Sequence, residues 1–439
     1  MLPTPYLGRA LALVGLIAAA CGGATVAPSA SPTTAASQAA ATQAATAKPA
    51  QKLVIGFTES LTGAQNVTSK KQTEGIRLWV DDVTKAGGIK LKDGTVLLPE
   101  IKSYDDESKQ DRVQALYTKL INDDKASLLL SPYSSNLVKT AAIVSEQNGK
   151  VMITAGGADD ATMEQGFKNI YQVYTPASKY LTGAIDLMLK TDPTIKKVAI
   201  INEKDSFSTS VAAAAKPYAE SKGLQVVVSE GYESSTTDFA PFINKIVAAS
   251  PDAIIGGGHF QDGTTFAKQL LEKKVAARFV ALLVAPPEPT FADIGAAAEF
   301  IVGPSQWETQ TKYSADSAKA LNIPFYGPAG DVFVKAYQAK YNAPPSYHSA
   351  GGYAAGLTLQ RALEEAGSTG TEAVRAALDK MDLLTFYGRI KFSTDAKLHG
   401  KQVGHEMVYV QWQRDSAGKL ATQVVWPLEA KSADAKLRK

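Results

Sequence analysis

The amino-acid sequence predicts an α/β protein with two parallel-sheet cores, and three observations point there. Short runs rich in Val, Ile and Leu alternate with longer amphipathic stretches from residue 52 onward. The alternation starts afresh near residue 197, and the 439 residues exceed what one hydrophobic core organises. Strand, helix and strand in that order require a crossover connection, which gives a parallel sheet covered on both faces.

The first series of strands is expected at 52–57 (KLVIGF), 96–103 (VLLPEIKS), 126–131 (ASLLLS) and 150–154 (KVMIT). Between the first two, residues 70–86 place Ile76, Trp79, Val80 and Val83 on one helical face and end at Gly87-Gly88, a helix-terminating pair. The second series follows at 197–202 (KVAIIN), 225–229 (QVVVS), 253–256 (AIIG) and 278–284 (RFVALLV), with helical patterns such as 207–222 and 262–274 between them. Ala-rich helical stretches at 329–341, 350–366 and 371–380 then precede strand-like 390–393 (IKFS) and 407–412 (MVYVQW). These late pieces are too few for a third domain. They are expected to complete the two earlier sheets, with the chain crossing between lobes more than once.

The N-terminus is of another kind. Arg9 precedes the apolar residues 10–20, then comes Cys21, the only cysteine, and Gly22-Gly23. This apolar run is too short to span a bilayer but suits the apolar region of an export signal. Ala18, Ala19 and Ala20 directly before the cysteine resemble the lipobox of bacterial lipoproteins, although that pattern prefers Leu where Ala18 stands. The expectation is a signal peptide at 1–20, lipidation at Cys21 and attachment of an exported body to a membrane surface. Ordinary cleavage after a small residue is the alternative. Residues 21–51, built mainly of Ala, Thr, Ser, Gln and Pro, have little to bury and read as a flexible linker; 428–439 reads as a charged C-terminal tail.

A net charge of +3 with both signs interspersed lacks the basic stripe of a nucleic-acid binder, and a single cysteine excludes an intramolecular disulfide or a Cys-rich zinc site. Neither the G-x-S-x-G nucleophile turn nor the G-x-x-x-x-G-K-[ST] phosphate loop occurs. Gly256, Gly257 and Gly258 form a glycine stretch, but Gln261 stands where a dinucleotide fingerprint needs its last glycine, so a tight turn is expected. His259, His348, His399 and His405 have no metal spacing, and His405-Glu406 lacks the second histidine of H-E-x-x-H. Neither a metal nor a cofactor is expected. The pattern favours capture over catalysis, with a hydrolase using an unrecognised carboxylate pair as the alternative.

Sheets of this kind take ligands beyond the carboxyl ends of their strands, which directs attention to loops 59–63, 131–136 and 154–159. Ser131-Pro132-Tyr133-Ser134-Ser135-Asn136 opens a helix running through Val138, Ala141, Ala142 and Val144, and its hydroxyls can cap that helix or, with the free N–H groups, receive a carboxylate. Thr154-Ala155-Gly156-Gly157-Ala158-Asp159 carries almost no side chains before Asp159, so a ligand can lie against its backbone.

The stretches LVIGFTESLTG (53–63), DDVTKAGGI (81–89), SYDDESKQ (103–110), LLLSPYSS (128–135), VMITAGGADD (151–160), YTPASKYLTGA (174–184) and TFYGRIKF (385–392), in this order and spacing, resemble the type I periplasmic binding proteins. That group includes the leucine/isoleucine/valine-binding proteins, and the likeness runs over 52–427. It implies two Rossmann-like lobes joined by three hinge crossings near 174–175, 303–306 and 385–388. Lobe 1 would comprise 52–174 and 307–385, and lobe 2 would comprise 175–306 and 386–427. It further implies a ligand carboxylate held by Ser134, with Tyr133 and Ser135 beside it, and by the backbone of Gly156, Gly157 and Ala158. Ala158 stands where relatives often carry a hydroxyl.

From lobe 2 the resemblance implies Phe207, where relatives commonly have Tyr, together with His259 or Phe260. It also implies an acidic partner for a ligand ammonium at Glu288. Asp262 competes for that role or caps the helix after it. Trp307 and Tyr387, beside two crossings, either wall the pocket or pack the hinge. The implied protein is a monomeric, exported, lipid-anchored solute-binding protein that delivers a branched-chain or other hydrophobic amino acid, or a related small carboxylate, to an ABC permease. The departures at Ala158 and Phe207 leave amides and aromatic acids open, and a sensor read by a membrane receptor is the alternative role.

Overall fold

β1 (Gln51–Glu59) is buried over nearly all of its second half, as a central strand covered on both faces must be. The computed structural model describes residues 48–428 and 430–438; the expected signal peptide, Cys21 and nearly all of the linker lie outside the described residues. Around β1 are β2 (Ile89–Lys90), β3 (Val96–Asp105), β4 (Leu128–Leu130), β5 (Met152–Thr154) and β6 (Ile170–Gln172). They form a six-stranded sheet in the order β2-β3-β1-β4-β5-β6, parallel except for the β2–β3 pair. The connections carry α1 (Asn66–Lys85), α2 (Gln110–Asn122), α3 (Ser135–Gln147) and the short α4 (Asp160–Met163).

The second lobe repeats the plan with α5 (Thr182–Thr191), β7 (Lys197–Glu203), α6 (Ser206–Ser221), β8 (Gln225–Tyr232), α7 (Ala240–Ala249), β9 (Ala253–Gly257), α8 (Phe260–Glu272), β10 (Phe279–Leu282) and β11 (Ile301–Ser305). The chain then adds α9 (Ala315–Ala320), α10 (Gly330–Tyr341), α11 (Tyr347–Ala366), α12 (Thr371–Asp379), β12 (Asp382–Leu384), β13 (Arg389–Lys391), β14 (Val408–Arg414) and β15 (Leu420–Trp426). The seven-stranded sheet runs β15-β14-β11-β10-β9-β7-β8, and only the β11–β14 and β14–β15 pairs are antiparallel. The architecture is therefore the two-lobed α/β arrangement that the alternating pattern indicates.

Three expectations change. The late pieces do not complete both sheets: β14 and β15 extend the second, whereas β12 and β13 pair as a separate hairpin. Lobe 1 instead gains α10 and α11 as a cover. α11 lies so close to α1 that a Cβ on Gly75 would meet the Ser349 carbonyl oxygen, and one on Gly356 would meet the Trp79 ring.

The crossing expected at 385–388 is the turn of the β12–β13 hairpin, closed by Thr385 N donating to Gly388 O at 2.9 Å. After it the chain stays beside lobe 1, where Gln172 N donates to Gly400 O and Tyr171 packs against Phe392 and His399. It passes to lobe 2 only between Gln402 and β14. Finally, the tail docks. Lys436 N donates to Gln411 Oε1, Gln413 Nε2 to Asp434 O and Arg438 N to Arg278 O, so the last residues run along β14 to the start of β10.

Candidate functional site

Where the carboxyl ends of the two sheets face each other, residues of both lobes line a narrow cleft whose free cavity volume is about 10 Å³. Lobe 1 supplies Tyr133, Ser134 and Ser135 from the β4–α3 loop, Gly156 and Ala158 beyond β5, and Tyr347 at the start of α11. Lobe 2 supplies Phe207 on the first turn of α6, His259 before α8 and Val284 beyond β10, and Tyr174 and Tyr180 come from the segment joining β6 to α5. That is room for about one water, so in this closed state the cleft is nearly filled by its own side chains and admits a solute only by opening.

The lobe 1 end suits an anion. Ser134 is the N-cap of α3 and lines the cavity, and its hydroxyl makes no capping bond, so it and a helix start whose first N–H groups have no intrahelical partner stand at this end. The next loop contributes differently from expectation. Gly156 N and Gly157 N donate to Thr154 Oγ1 (3.3 and 3.2 Å), and Ala158 N donates to Ser135 Oγ at 3.0 Å. Those N–H groups are therefore already engaged, and Ser135 acts as the brace between the two loops. Gly156 can lie against Pro132 only without a side chain, because a Cβ there would strike the Pro132 carbonyl oxygen and approach Gln72 Oε1 to 2.7 Å.

The lobe 2 end is a buried polar cluster. His259 Nε2 lies 2.6 Å from Asp205 Oδ2, and its Nδ1 lies 3.1 Å from Tyr133 Oη on the opposite lobe. Burial alone would lower the His259 pKa, but the negative Asp205 and Glu203 beside it raise it to about 9. Burial likewise opposes ionisation of Asp205, yet the His259 charge and hydrogen bond hold that carboxyl below its ordinary value. Two further contacts bridge the lobes: Ser206 N donates to Asn136 Oδ1 at 3.2 Å, and Glu288 Oε1 meets His348 Nδ1 at 2.5 Å. With three polar bridges across the cleft, the structure shows the lobes closed on one another.

Of the residues singled out in the sequence, Tyr133, Ser134, Ser135, Gly156, Ala158, Phe207 and His259 lie together on the cavity wall. Gly157 lies behind it, against Val138. Phe260 turns into the lobe 2 core, and Glu288, 1% exposed, faces His348 rather than the cavity. Asp262 is the third residue of the α8 capping box, accepting from His259 N at 2.7 Å, one helical turn later than a cap at its own position would require.

Trp307 packs edge-on against Phe333 and Phe386, and Tyr387 stacks on His405 with ring centroids 4.7 Å apart; neither lines the cavity. Tyr174, Tyr180, Tyr347 and Val284 complete the wall and were missed. Tyr174 and Tyr180 lie inside the motif YTPASKYLTGA, and Tyr347 follows Pro344-Pro345-Ser346, a helix-start signal that marks it as near a helix N-terminus.

The three crossings meet in one hydrogen-bonded clasp. Thr175 N donates to Gln306 Oε1 at 3.0 Å, Gln306 Nε2 donates to Tyr180 Oη at 2.6 Å, and Thr175 Oγ1 lies 2.8 Å from His405 Nδ1. His405 Nε2 reaches Tyr387 O at 3.0 Å, and burial lowers the pKa of this ring to about 4. Beside the second crossing, Glu308 is buried with Oε1 unpartnered, and desolvation, helped by the negative Glu288, pushes its carboxyl up to about 8. A larger open groove edged by α11 and α12 lies on the outer face of lobe 1, away from the strand ends.

A two-lobed body with a ring-lined cleft at the facing strand ends has the build of a binding protein of the cleft-closing type. The chain belongs to the periplasmic binding protein family, whose sequence pattern it matches over residues 52–419. It is similar to Leu/Ile/Val-binding protein homolog 8 of Brucella melitensis, 24% identical over 398 residues that cover 88% of this chain and 93% of that one. Its fold is also that of the branched-chain amino acid transporter substrate-binding protein LivJ from Streptococcus pneumoniae, solved with isoleucine. Here the TM-score is 0.70 at 21% identity, covering 86% of this chain and 100% of that one. A solute-binding protein of Rhodopseudomonas palustris solved with 3,4-dihydroxybenzoic acid matches as well, with TM-score 0.71 at 21% identity over 88% of this chain and 98% of that one.

Proposed function

We propose that this protein captures a small carboxylate with an apolar body between its lobes and hands it to an ABC permease. The observation that carries this is the cavity itself: an anion-suited end at Ser134 and the α3 N-terminus, walled by the rings of Tyr133, Tyr174, Tyr180, Phe207 and Tyr347. A branched-chain or other hydrophobic amino acid is the first candidate, in line with the relatives. An aromatic acid is the second, favoured by the absence of any carboxylate from the wall, since Glu288 is engaged by His348. Closure follows from solute contacts made on both lobes, which favour the closed state over the open one. Lipidation at Cys21 would keep the body at the membrane surface near its permease.

Thermal unfolding of the full chain against leucine, isoleucine, valine, benzoate and hydroxybenzoates tests the reading. A true ligand at about 1,000 times its dissociation constant adds about 4 kcal/mol. A shift confined to one of these classes supports capture and names it. No shift with any, and no small molecule released on denaturation, would refute it.

A further inference from the structure

β7 and β9 are neighbours in the lobe 2 sheet, so the residues just past their carboxyl ends are brought together although they are far apart in sequence. Glu203 ends β7, Asp205 caps α6, and His259 caps α8. Their donor atoms all lie within 4.8 Å of one another: His259 Nε2 is 2.6 Å from Asp205 Oδ2 and 3.9 Å from Glu203 Oε2. All three residues are at least nine-tenths buried, at 5%, 6% and 6% exposure.

Two features of this cluster are unusual. Glu203 Oε2 has no hydrogen-bond partner although it is buried and directed at the imidazole. The charge is also unbalanced: Asp262 lies in the same cluster, accepting from His259 N and from the Tyr232 hydroxyl, so three carboxylates surround one imidazole. Among the described residues, no lysine or arginine pairs with any of the three. Burying charge without a counter-ion costs several kcal/mol per ion, whereas a divalent cation would supply both the missing charge and the missing partner of Glu203.

We propose that Glu203, Asp205 and His259 bind a divalent transition-metal ion, with Zn²⁺ as the best-matched species. One imidazole nitrogen and two carboxylate oxygens form a donor set that suits zinc better than calcium or magnesium. Donors at about 2.0–2.2 Å from a tetrahedral ion stand about 3.3–3.6 Å apart. The His259–Asp205 and His259–Glu203 separations of 2.6 and 3.9 Å bracket that range and the third pair lies within 4.8 Å, so small side-chain shifts bring all three onto one ion.

The surroundings are those of a supported site. Asp205 Oδ1 accepts from Ser208 N at 2.6 Å, and the second imidazole nitrogen is held by Tyr133 Oη, which fixes the ring. Glu203 and Asp205 also border an open groove with Ser234 and Asn136, which provides an entry path and a fourth coordination position. Metal on Nε2 places the ring proton on Nδ1, which then donates to Tyr133 across the cleft. Metal binding in lobe 2 therefore keeps the contact to lobe 1, whatever solute the cleft takes.

The test is calorimetric titration of ZnCl₂ into the metal-free, tag-free full chain carrying Cys21→Ser, so that no thiol competes, alongside Glu203→Gln and His399→Asn. The expected result is one saturable site of micromolar or tighter dissociation constant, weakened at least about tenfold by Glu203→Gln and unchanged by His399→Asn. No saturation below millimolar zinc overturns the proposal, as does binding that survives Glu203→Gln or is lost in His399→Asn. Should Glu203→Gln not fold, imidazole ¹⁵N spectra of the otherwise unsubstituted chain decide. Zinc must shift His259 Nε2 while Nδ1 keeps its proton; a shift at His348, His399 or His405 instead overturns the assignment.

Discussion

Glu308→Gln should stabilise the protein near neutral pH. In the folded state the Glu308 carboxyl is held up to about 8, against an ordinary value of 4.5, because it is buried with one oxygen unpartnered. This is an acid whose folded pKa is raised, so its effect on stability is absent below pH 4.5 and grows unfavourable as pH rises toward 8. At pH 7 the unfolded chain has released this proton and the folded chain retains it. That difference costs about 1.4 kcal/mol for each of the 2.5 units between 4.5 and 7, or roughly 3.5 kcal/mol.

Glutamine has the same shape and no proton to lose. Its amide needs partners of its own, so a net gain of about 1–3 kcal/mol is expected. For a body of about 390 residues, whose unfolding entropy is near 0.8 kcal/mol/K, that gain raises Tm by roughly 1–4 °C. Thermal melts of both proteins at pH 4, 5.5, 7 and 8 measure it. A gain at pH 7 that fades by pH 4 supports the reasoning. No gain at pH 7, or an equal gain at pH 4, would refute it.

Three further outcomes are expected. Ser134→Ala should weaken a carboxylate ligand by about 1.5–3 kcal/mol, roughly 10- to 150-fold by calorimetry, the worth of one hydrogen bond to a charged group; unchanged affinity would remove Ser134 from the site. Gly75→Ala drives a Cβ into the Ser349 carbonyl and should cost about 3 kcal/mol by denaturant unfolding, and a loss below about 0.5 kcal/mol would mean that the α1–α11 contact is looser than described. His405, whose folded pKa is lowered to about 4 from 6.5, contributes stability that is full above pH 6.5 and is lost as pH falls through 4. Its ring should therefore titrate near 4 by NMR, and protonation near 6.5 would contradict its burial in the clasp.

Much of the framework was legible because hydrophobic periodicity reports burial directly. Strands with a long run of Val, Ile or Leu, such as β1, β7 and β9, are placed by the sequence within a few residues, whereas β12 and β15 are not. β6 and β11 were missed because IYQ is only three residues long and IVGPS contains glycine and proline, which read as a turn. The third crossing, placed at 385–388 by the family resemblance, lies further along the chain. The Phe386 and Tyr387 rings pack against Trp307, Phe333 and His405, which anchors this turn to lobe 1. In the site, the loops beyond β4 and β5 stood out by composition. The partnership of Glu203, Asp205 and His259 did not, because β7 and β9 become neighbours only through the sheet order, which spacing along the chain cannot express.

The clasp of Thr175, Gln306 and His405 bears on how the lobes move. If each crossing were an independent tether, the lobes could twist, shear and open separately, and each motion would have its own rate. Because one residue from each strand is bonded to the same small knot, the crossings must turn together, and the open and closed states become two ends of a single coordinate. Relaxation-dispersion NMR on reporters far apart in lobe 2, such as Ala199 and Val410, would then return one shared exchange rate. The protein would behave as a two-position switch, not as two bodies on a loose string.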